Sequence, residues 1–253
     1  MKILRFYHNK KVFWGVLKGE YILFLKDAPF GGLRFAKNKV LLNKVKLLAP
    51  AHPSKIILVG LNYKDHAKEL NMKIPKEPVI FLKPPTALIA HRQNIIYPKG
   101  VRQVDYEAEL ALVIKKKAKN LEPKRTGNYI LGYTCFNDVT ARDLQRHDIQ
   151  WTRAKSFDTF APCGPWLETS LNPGNLRITS YLNGRIRQDS STRNFIFPVY
   201  ELVSFITKIM TLYPGDIIST GTPSGVGPMK AGDRVEVEIE GIGKLINTVC
   251  ISS

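Results

Sequence analysis

Asp105-Tyr106-Glu107-Ala108-Glu109-Leu110-Ala111-Leu112-Val113-Ile114 reads as a β-strand. Strand alternation sends Tyr106, Ala108, Leu110, Leu112 and Ile114 to one face and Glu107, Glu109, Ala111 and Val113 to the other. Both carboxylates therefore share a side whose continuation is apolar. Two ionised carboxylates roughly 6–7 Å apart on a pleated strand repel by about 2–3 kcal/mol at an effective dielectric of about 20. A solvated strand face, a Lys or Arg set between them, or a hard divalent cation taking oxygen ligands would each answer that repulsion.

Outward from this strand, residues 55–59, 79–82, 130–136, 178–182, 217–220, 235–239 and 245–249 are β-branched or alternating and bounded by Gly, Pro or Asp. They predict an α+β, β-rich fold in which sheets curl or pack together, with few helices. The helical segments are 140–150, opened by a possible capping box of Thr140 with Asp143, and 198–210, where Leu202, Phe205, Ile206 and Ile209 recur at helical spacing. Segments 2–7, 11–17, 21–25 and 40–48 read as short strands of a small N-terminal β subdomain. The prolines of Ala49-Pro50-Ala51-His52-Pro53-Ser54 interrupt any periodicity, so the expected division is 1–52 and 53–253.

A chain of 253 residues, 44% hydrophobic and 23% charged, has the composition of a globular protein with a substantial core. Its purely apolar stretches run to about five residues, far short of the roughly twenty that a membrane-spanning helix needs. The charged N-terminus has no secretory core, and Cys135, Cys163 and Cys250 are odd in number and in no metal-ligand spacing. These features predict a cytoplasmic protein with thiols. The net charge of +17 would draw anionic substrates or polyanions, or else reflects lysines spread over solvated faces. Lys115 to Lys119 and Lys124-Arg125 lack aromatic interleaving for base stacking, so no nucleic-acid partner is expected.

A third acidic position lies in Phe136-Asn137-Asp138-Val139-Thr140-Ala141-Arg142-Asp143-Leu144-Gln145. Asp138 ends an apolar strand, with Arg142 and Gln145 four and seven residues later. Either all three aim into one cleft, or Asp138 caps a helix that carries a surface arginine. The loop from Gly221 to Gly227 lacks the Gly-Lys-Ser/Thr ending of a phosphate-binding loop and reads as a turn.

Six ordered blocks now come together: the run from Val59 to Glu69 containing Asn62-Tyr63-Lys64-Asp65-His66, then Phe81-Leu82-Lys83-Pro84, Tyr106-Glu107-Ala108-Glu109-Leu110, Asn137 to Asp143, Ala154-Lys155-Ser156-Phe157-Asp158, and Gly221-Thr222-Pro223-Ser224-Gly225-Val226-Gly227. In order and spacing they resemble the fumarylacetoacetate hydrolase family, including its 2-hydroxyhepta-2,4-diene-1,7-dioate isomerase-like members. The resemblance implies a mixed β-roll or sandwich catalytic domain. Glu107, Glu109 and Asp138 would hold one Mg²⁺ or Mn²⁺ per subunit, with Ca²⁺ able to replace it in crystals. Three anionic oxygens suit such a hard ion better than zinc. His66 and Glu69 would activate a water, Lys155 would sit beside ion and substrate, and Arg142, Gln145 and Thr222 would bind the substrate. The substrate would be a small 2-oxo acid or β-dicarbonyl compound, and the protein a homodimer. Chelation by such a compound lowers the cost of an enolate. The expected reaction is C–C bond hydrolysis of the acylpyruvate or fumarylpyruvate type. Oxaloacetate decarboxylation or tautomerisation, and hydroxy-diene-dioate isomerisation, are the alternatives within the family. A metal-dependent nuclease, or a member that kept the fold and lost the activity, are the rivals outside those reactions.

Overall fold

In a computed structural model that describes residues 1–251, the alternating and β-branched segments form strands and helices are few. The N-terminal segment supplies β1 (Lys2–His8), β2 (Lys11–Lys18), β3 (Tyr21–Leu25), β4 (Phe35–Leu41) and β5 (Lys46–Leu48). Next come β6 (Ile56–Val59), α1 (Lys64–Glu69), β7 (Ile80–Lys83), β8 (Leu88–Ile89), β9 (Asn94–Tyr97), β10 (Val104–Tyr106), β11 (Ala108–Ile114), α2 (Pro123–Thr126) and β12 (Ile130–Asn137). The second half holds β13 (Thr140–Ala141), α3 (Arg142–His147), α4 (Thr152–Lys155), β14 (Ala161–Glu168), β15 (Arg177–Leu182), β16 (Arg185–Ser191), α5 (Val199–Ile209), β17 (Ile217–Ser219), β18 (Gly227–Met229), β19 (Arg234–Ile239) and β20 (Gly243–Ile251).

The main sheet runs β4-β3-β2-β1-β14-β12-β11-β17-β6-β7, so the N-terminal strands join the rest edge to edge through β1 and β14. A second sheet, β16-β15-β19-β20-β9, packs across it, and a small one is ordered β13-β10-β18. The alternation of β11 explains its place between layers. Ala108, Leu110, Leu112 and Ile114 face a core with Ile178, Val237, Ile239 and the α5 residues Val203 and Ile206. Ala111 and Val113 face a second core with Ile56, Leu58, Phe136 and Ile217. Burial on both sides makes this strand a close-packed platform for Glu109, and Glu107 stands just before it, where the single strand expected over 105–114 is interrupted.

Several elements depart from the sequence reading. Residues 40–48 do not form one strand: a 3₁₀ turn at Leu42–Lys44 separates β4, which pairs with β3, from β5, which pairs with β1. The helix expected from Thr140 begins at Arg142, and the capping box with Asp143 is absent. Thr140 instead pairs with Asp105 across β10–β13 and donates its hydroxyl to Asp138 O at 2.8 Å, while Asp143 accepts the Arg102 N–H at 2.9 Å. The α5 helix forms as expected and buries Leu202 and Ile206, but Phe205 is half-buried and Ile209, at its C-terminal end, is exposed. Cys135 and Cys163 are buried thiols, whereas Cys250 is only half-buried. No helix among the described residues is long and apolar enough to cross a membrane.

Candidate metal and active site

The sheet order brings β10, β11, the end of β12 and β17 to one place. Glu107 sits at the break between β10 and β11, where its N–H donates to Asn137 Oδ1 at 2.9 Å and its carbonyl accepts the Asp138 N–H at 2.9 Å. That exchange fixes Asp138, one residue past the end of β12, beside Glu107. Glu109 lies opposite Phe136 in the β11–β12 register and beside β17, whose Ser219 hydroxyl donates to Oε2 at 2.5 Å. Gly221 N–H donates to the same oxygen at 2.9 Å. The approach requires glycine: Gly221 has φ +90°, and a Cβ there would stand 2.8 Å from Asn62 Cβ.

One oxygen from each of Glu107, Glu109 and Asp138 lies within 4.8 Å of the others, and all three residues are buried. At 4.8 Å each pair would repel by about 3 kcal/mol at an effective dielectric of about 20. Two buried lysines and the half-buried Arg142 offset part of this. Lys155 Nζ lies 2.5 Å from Asp138 Oδ2 and 3.0 Å from Glu107 Oε2, and donates to Thr140 Oγ1 at 2.6 Å. Lys83 Nζ lies 2.5 Å from Asp138 Oδ1 and donates to the carbonyls of Val139, at 2.8 Å, and Phe160. The Lys83–Asp138 contact is an ion pair lacking hydrogen-bond directionality, so among the described residues Oδ1 has no hydrogen-bond donor of its own. Arg142 binds Asp105 Oδ2 at 2.8 Å through Nε, Glu107 through Nη2 and Gln145 Oε1 through Nη1.

Electrostatics separates the glutamates. Burial would raise the Glu107 carboxyl, but Lys155 and Arg142 outweigh it and hold the group well below its ordinary range. Burial, reinforced by Asp138 and Glu107, pushes Glu109 well above that range, because its donors are a neutral hydroxyl and a neutral amide. Burial also lowers the Lys83 ammonium to about 8 against the pull of Asp138. For Lys155 the attraction of Asp138 and Glu107 overcomes desolvation and keeps the ammonium charged. Counting Asp105, Glu107, Glu109 and Asp138 against Arg142, Lys155 and Lys83 leaves one carboxylate in excess. A divalent cation would turn that excess of −1 into +1. The all-oxygen donor set, the burial and the uncompensated Glu109 fit a hard ion such as Mg²⁺ or Mn²⁺.

The remaining predicted residues gather at the rim. His66 Nδ1 and Glu69 Oε2 are 2.8 Å apart on α1, and Glu69 Oε1 accepts the Gly225 N–H at 3.0 Å. Tyr106, adjacent to Glu107, donates its hydroxyl to Gly225 O at 3.0 Å and so ties the dyad's loop to the acidic strand. At Gly225, φ is +93° and a Cβ would meet Arg187 O at 2.3 Å, which reserves the position for glycine. Thr222 is buried and its Oγ1 accepts from Gln188 Nε2 at 2.8 Å. Gln188 in turn accepts the Ala108 N–H at 3.0 Å. Thus the nine predicted site residues form two linked groups: Glu107, Glu109, Asp138, Lys155, Arg142 and Gln145 around the carboxylates, and His66, Glu69 and Thr222 around the 221–227 loop.

Sequence reasoning does not single out Asp105, Lys83 or Gln188. Asp105 opens the stretch that carries Glu107 and Glu109, and Lys83 lies in the block Phe81-Leu82-Lys83-Pro84, where a lysine closing an apolar run before a proline is a signal that it needs a buried partner. Gln188 lies in β16, whose polar sequence Arg-Ile-Arg-Gln-Asp-Ser-Ser gives no strand periodicity that would mark a buried glutamine.

Residues 55–250 match the sequence model described as fumarylacetoacetate (FAA) hydrolase C-terminal, and residues 1–50 match one described as Rv2993c-like, N-terminal. The chain is 43% identical over 219 residues, 82% of its own length and 70% of the relative's, to a Rattus norvegicus protein named oxaloacetate tautomerase Fahd2a, mitochondrial. A crystal structure of 5-carboxymethyl-2-hydroxymuconate delta-isomerase from Mycobacterium smegmatis superimposes over all of both chains with a TM-score of 0.95 and 41% identity. Maleylpyruvate hydrolase from Sphingobium sp. SYK-6, solved with manganese(II) and pyruvate, does so at 0.85 and 29%. With matching folds along the whole chain and a family match over most of it, the protein belongs to the fumarylacetoacetate hydrolase family.

Proposed function

We propose that Glu107, Glu109 and Asp138 hold one Mg²⁺ or Mn²⁺ and that the site acts on a small 2-oxo acid or β-dicarbonyl compound. The observation that carries this reading is the convergence of three buried carboxylates of which one, Glu109, has no cationic partner among the described residues. When bound, the ion supplies a Lewis acid for the substrate's paired oxygens. Its charge with the surrounding groups sums to +1, which favours an anionic substrate.

The chain's own residues then supply binding and proton transfer. Arg142 has five N–H donors, and its bonds to Asp105, Glu107 and Gln145 use three, leaving two for a substrate carboxylate. Thr222 Oγ1 accepts from Gln188, so its own hydroxyl hydrogen is free to donate to the substrate. With Nδ1–H donating to Glu69, His66 presents the Nε2 lone pair as a base. In hydrolysis of an acylpyruvate, His66 takes a proton from a water as its oxygen adds to the acyl carbonyl. The C–C bond breaks, its electron pair passes into the pyruvate fragment as an enolate, and the proton held on His66 returns to that fragment. Lys155 stabilises the growing negative charge.

A second reading is proton transfer without water, that is, tautomerisation of oxaloacetate or isomerisation of a hydroxy-diene dioate. It is favoured by the relatives named as tautomerase and delta-isomerase being 43% and 41% identical, against 29% for the maleylpyruvate hydrolase. The same His66 base serves both. A screen of acylpyruvates, oxaloacetate and hydroxy-diene dioates with Mg²⁺ or Mn²⁺, using Glu109→Ala as control, distinguishes them by product. Turnover of one class that vanishes in the control is expected. Full turnover in Glu109→Ala would place the chemistry elsewhere.

A further inference from the structure

A cavity of about 780 Å³ lies away from the acidic cluster, where residues of the N-terminal strands face the turn before β9 and the middle of β14. Its lining shares no residue with the acidic site or its rim, so a ligand there would be bound whether or not the proposed function holds. The volume is within the range of small-molecule sites, roughly 300–1,000 Å³. Leu42 and Leu47 from the N-terminal segment and Trp166 from β14 give it an apolar wall. Trp166 is held in place, because its indole N–H donates to Ile242 O at 2.8 Å.

The polar part of the lining is predominantly cationic. Lys46 and Arg92 are both exposed and form no ion pair among the described residues, and Lys244 joins them, already paired with Glu236 and Glu238. One lining carboxylate, Glu20, is present and likewise forms no ion pair among the described residues, so the unpaired side chains sum to +1. His91 adds a neutral imidazole: burial, with Arg92 beside it, lowers the ring to about 4. Its Nδ1 accepts the Ile246 N–H at 3.1 Å, which places the proton on Nε2 as a donor. Two uncommitted cations, an N–H donor and an indole wall around one hollow complement a molecule with a compact anionic group and an apolar body.

We propose that this cavity is a second binding site, for a small organic anion with an apolar, preferably aromatic, body. The anionic group meets Arg92 and Lys46 while the body packs on Trp166, Leu42 and Leu47. Such a ligand touches both the N-terminal strands and the remainder of the chain, so its binding strengthens their attachment.

The test uses the full-length protein and 8-anilinonaphthalene-1-sulfonate as probe, with N-phenyl-1-naphthylamine as its uncharged counterpart. Fluorescence titration is expected to show one saturable sulfonate site per chain, unaffected by a chelator. The double substitution Lys46→Ala/Arg92→Ala should weaken the sulfonate at least 10-fold while changing affinity for the neutral probe less than 3-fold. Both cations are exposed, so the variant should retain the wild-type circular dichroism spectrum. Leu47→Trp, which narrows the hollow without altering charge, should weaken both probes. The absence of a saturable site in the native protein would overturn the proposal. So would equal sulfonate affinity in the wild type and both variants, or a loss that the neutral probe shares fully in the double variant.

Discussion

Glu109→Gln should reverse its effect on stability according to whether a divalent ion is present. Glu109 stands within 4.8 Å of Glu107 and Asp138 and, among the described residues, its carboxylate is bonded only to Ser219 and Gly221. Each repulsion is about 3 kcal/mol at an effective dielectric of about 20. Lys155, between the other two carboxylates, offsets part of the sum. Glutamine keeps an oxygen for the Ser219 and Gly221 donors and turns an N–H toward the remaining carboxylates. In chelator at neutral pH the variant should therefore exceed wild type by about 1–3 kcal/mol, or about 2–4 °C in Tm per kcal/mol for a chain of this size. Manganese at one hundred times its Kd should add about 2.7 kcal/mol to wild type and far less to the variant.

The sign with pH follows from the raised Glu109 pKa. The neutral acid is stable in the fold below the unfolded carboxyl value of about 4.3. Stability is lost as pH rises from there through the raised folded value, so the variant's advantage vanishes near pH 4. Thermal denaturation of both proteins in chelator and in MnCl₂ reads all four quantities. A variant more than about 1 kcal/mol less stable than wild type in chelator, or an equal manganese shift in both, would refute the reasoning.

His66→Ala should lower kcat on the protein's substrate by about 10²–10⁴ with nearly unchanged Mn²⁺ affinity, because the imidazole bonds to Glu69 and not to the carboxylate cluster; loss of metal binding would assign it a different role. Lys83→Met removes the partner of Asp138 Oδ1 and strands the carbonyls of Val139 and Phe160, so chemical denaturation should report a loss of about 3–5 kcal/mol; a loss under about 1 kcal/mol would mean that the ammonium does not anchor Asp138. His91, lowered to about 4 from 6.5 by burial and Arg92, should make wild type lose stability as pH falls from about 6.5 to 4, because the unfolded chain binds the proton first. Partial exposure reduces the effect to about 1–2 kcal/mol, and His91→Asn should lack this component; identical pH profiles for the two proteins would contradict it.

The core strand was legible from short-range pattern, and the acidic cluster from the resemblance of six ordered blocks to the family. Alternation in β11 set which side chains share a face, and the order of six motif blocks tied Asp138 and Lys155 to that strand. What stayed hidden depends on partners distant in sequence. Residues 161–168 contain Pro162, Pro165 and Gly164, which mark a break in isolation, yet pairing with β1, β8 and β12 holds them as β14. Thr140 followed by Asp143 has capping spacing, but the β10–β13 pairing and the Asp138 carbonyl claim Thr140 first. Arg142 was expected at the substrate, and its bonds to Asp105 and Glu107 arise from a chain reversal that no local window contains.

Direct titration of the metal-free protein with Mn²⁺, followed by the loss of the free-ion paramagnetic resonance signal, tests the centre itself. One ion per chain in wild type, with affinity reduced at least 100-fold by Glu109→Gln, is the expected result. Saturable binding that survives this substitution unchanged, or no binding up to millimolar Mn²⁺, would mean that Glu107, Glu109 and Asp138 do not form a metal site.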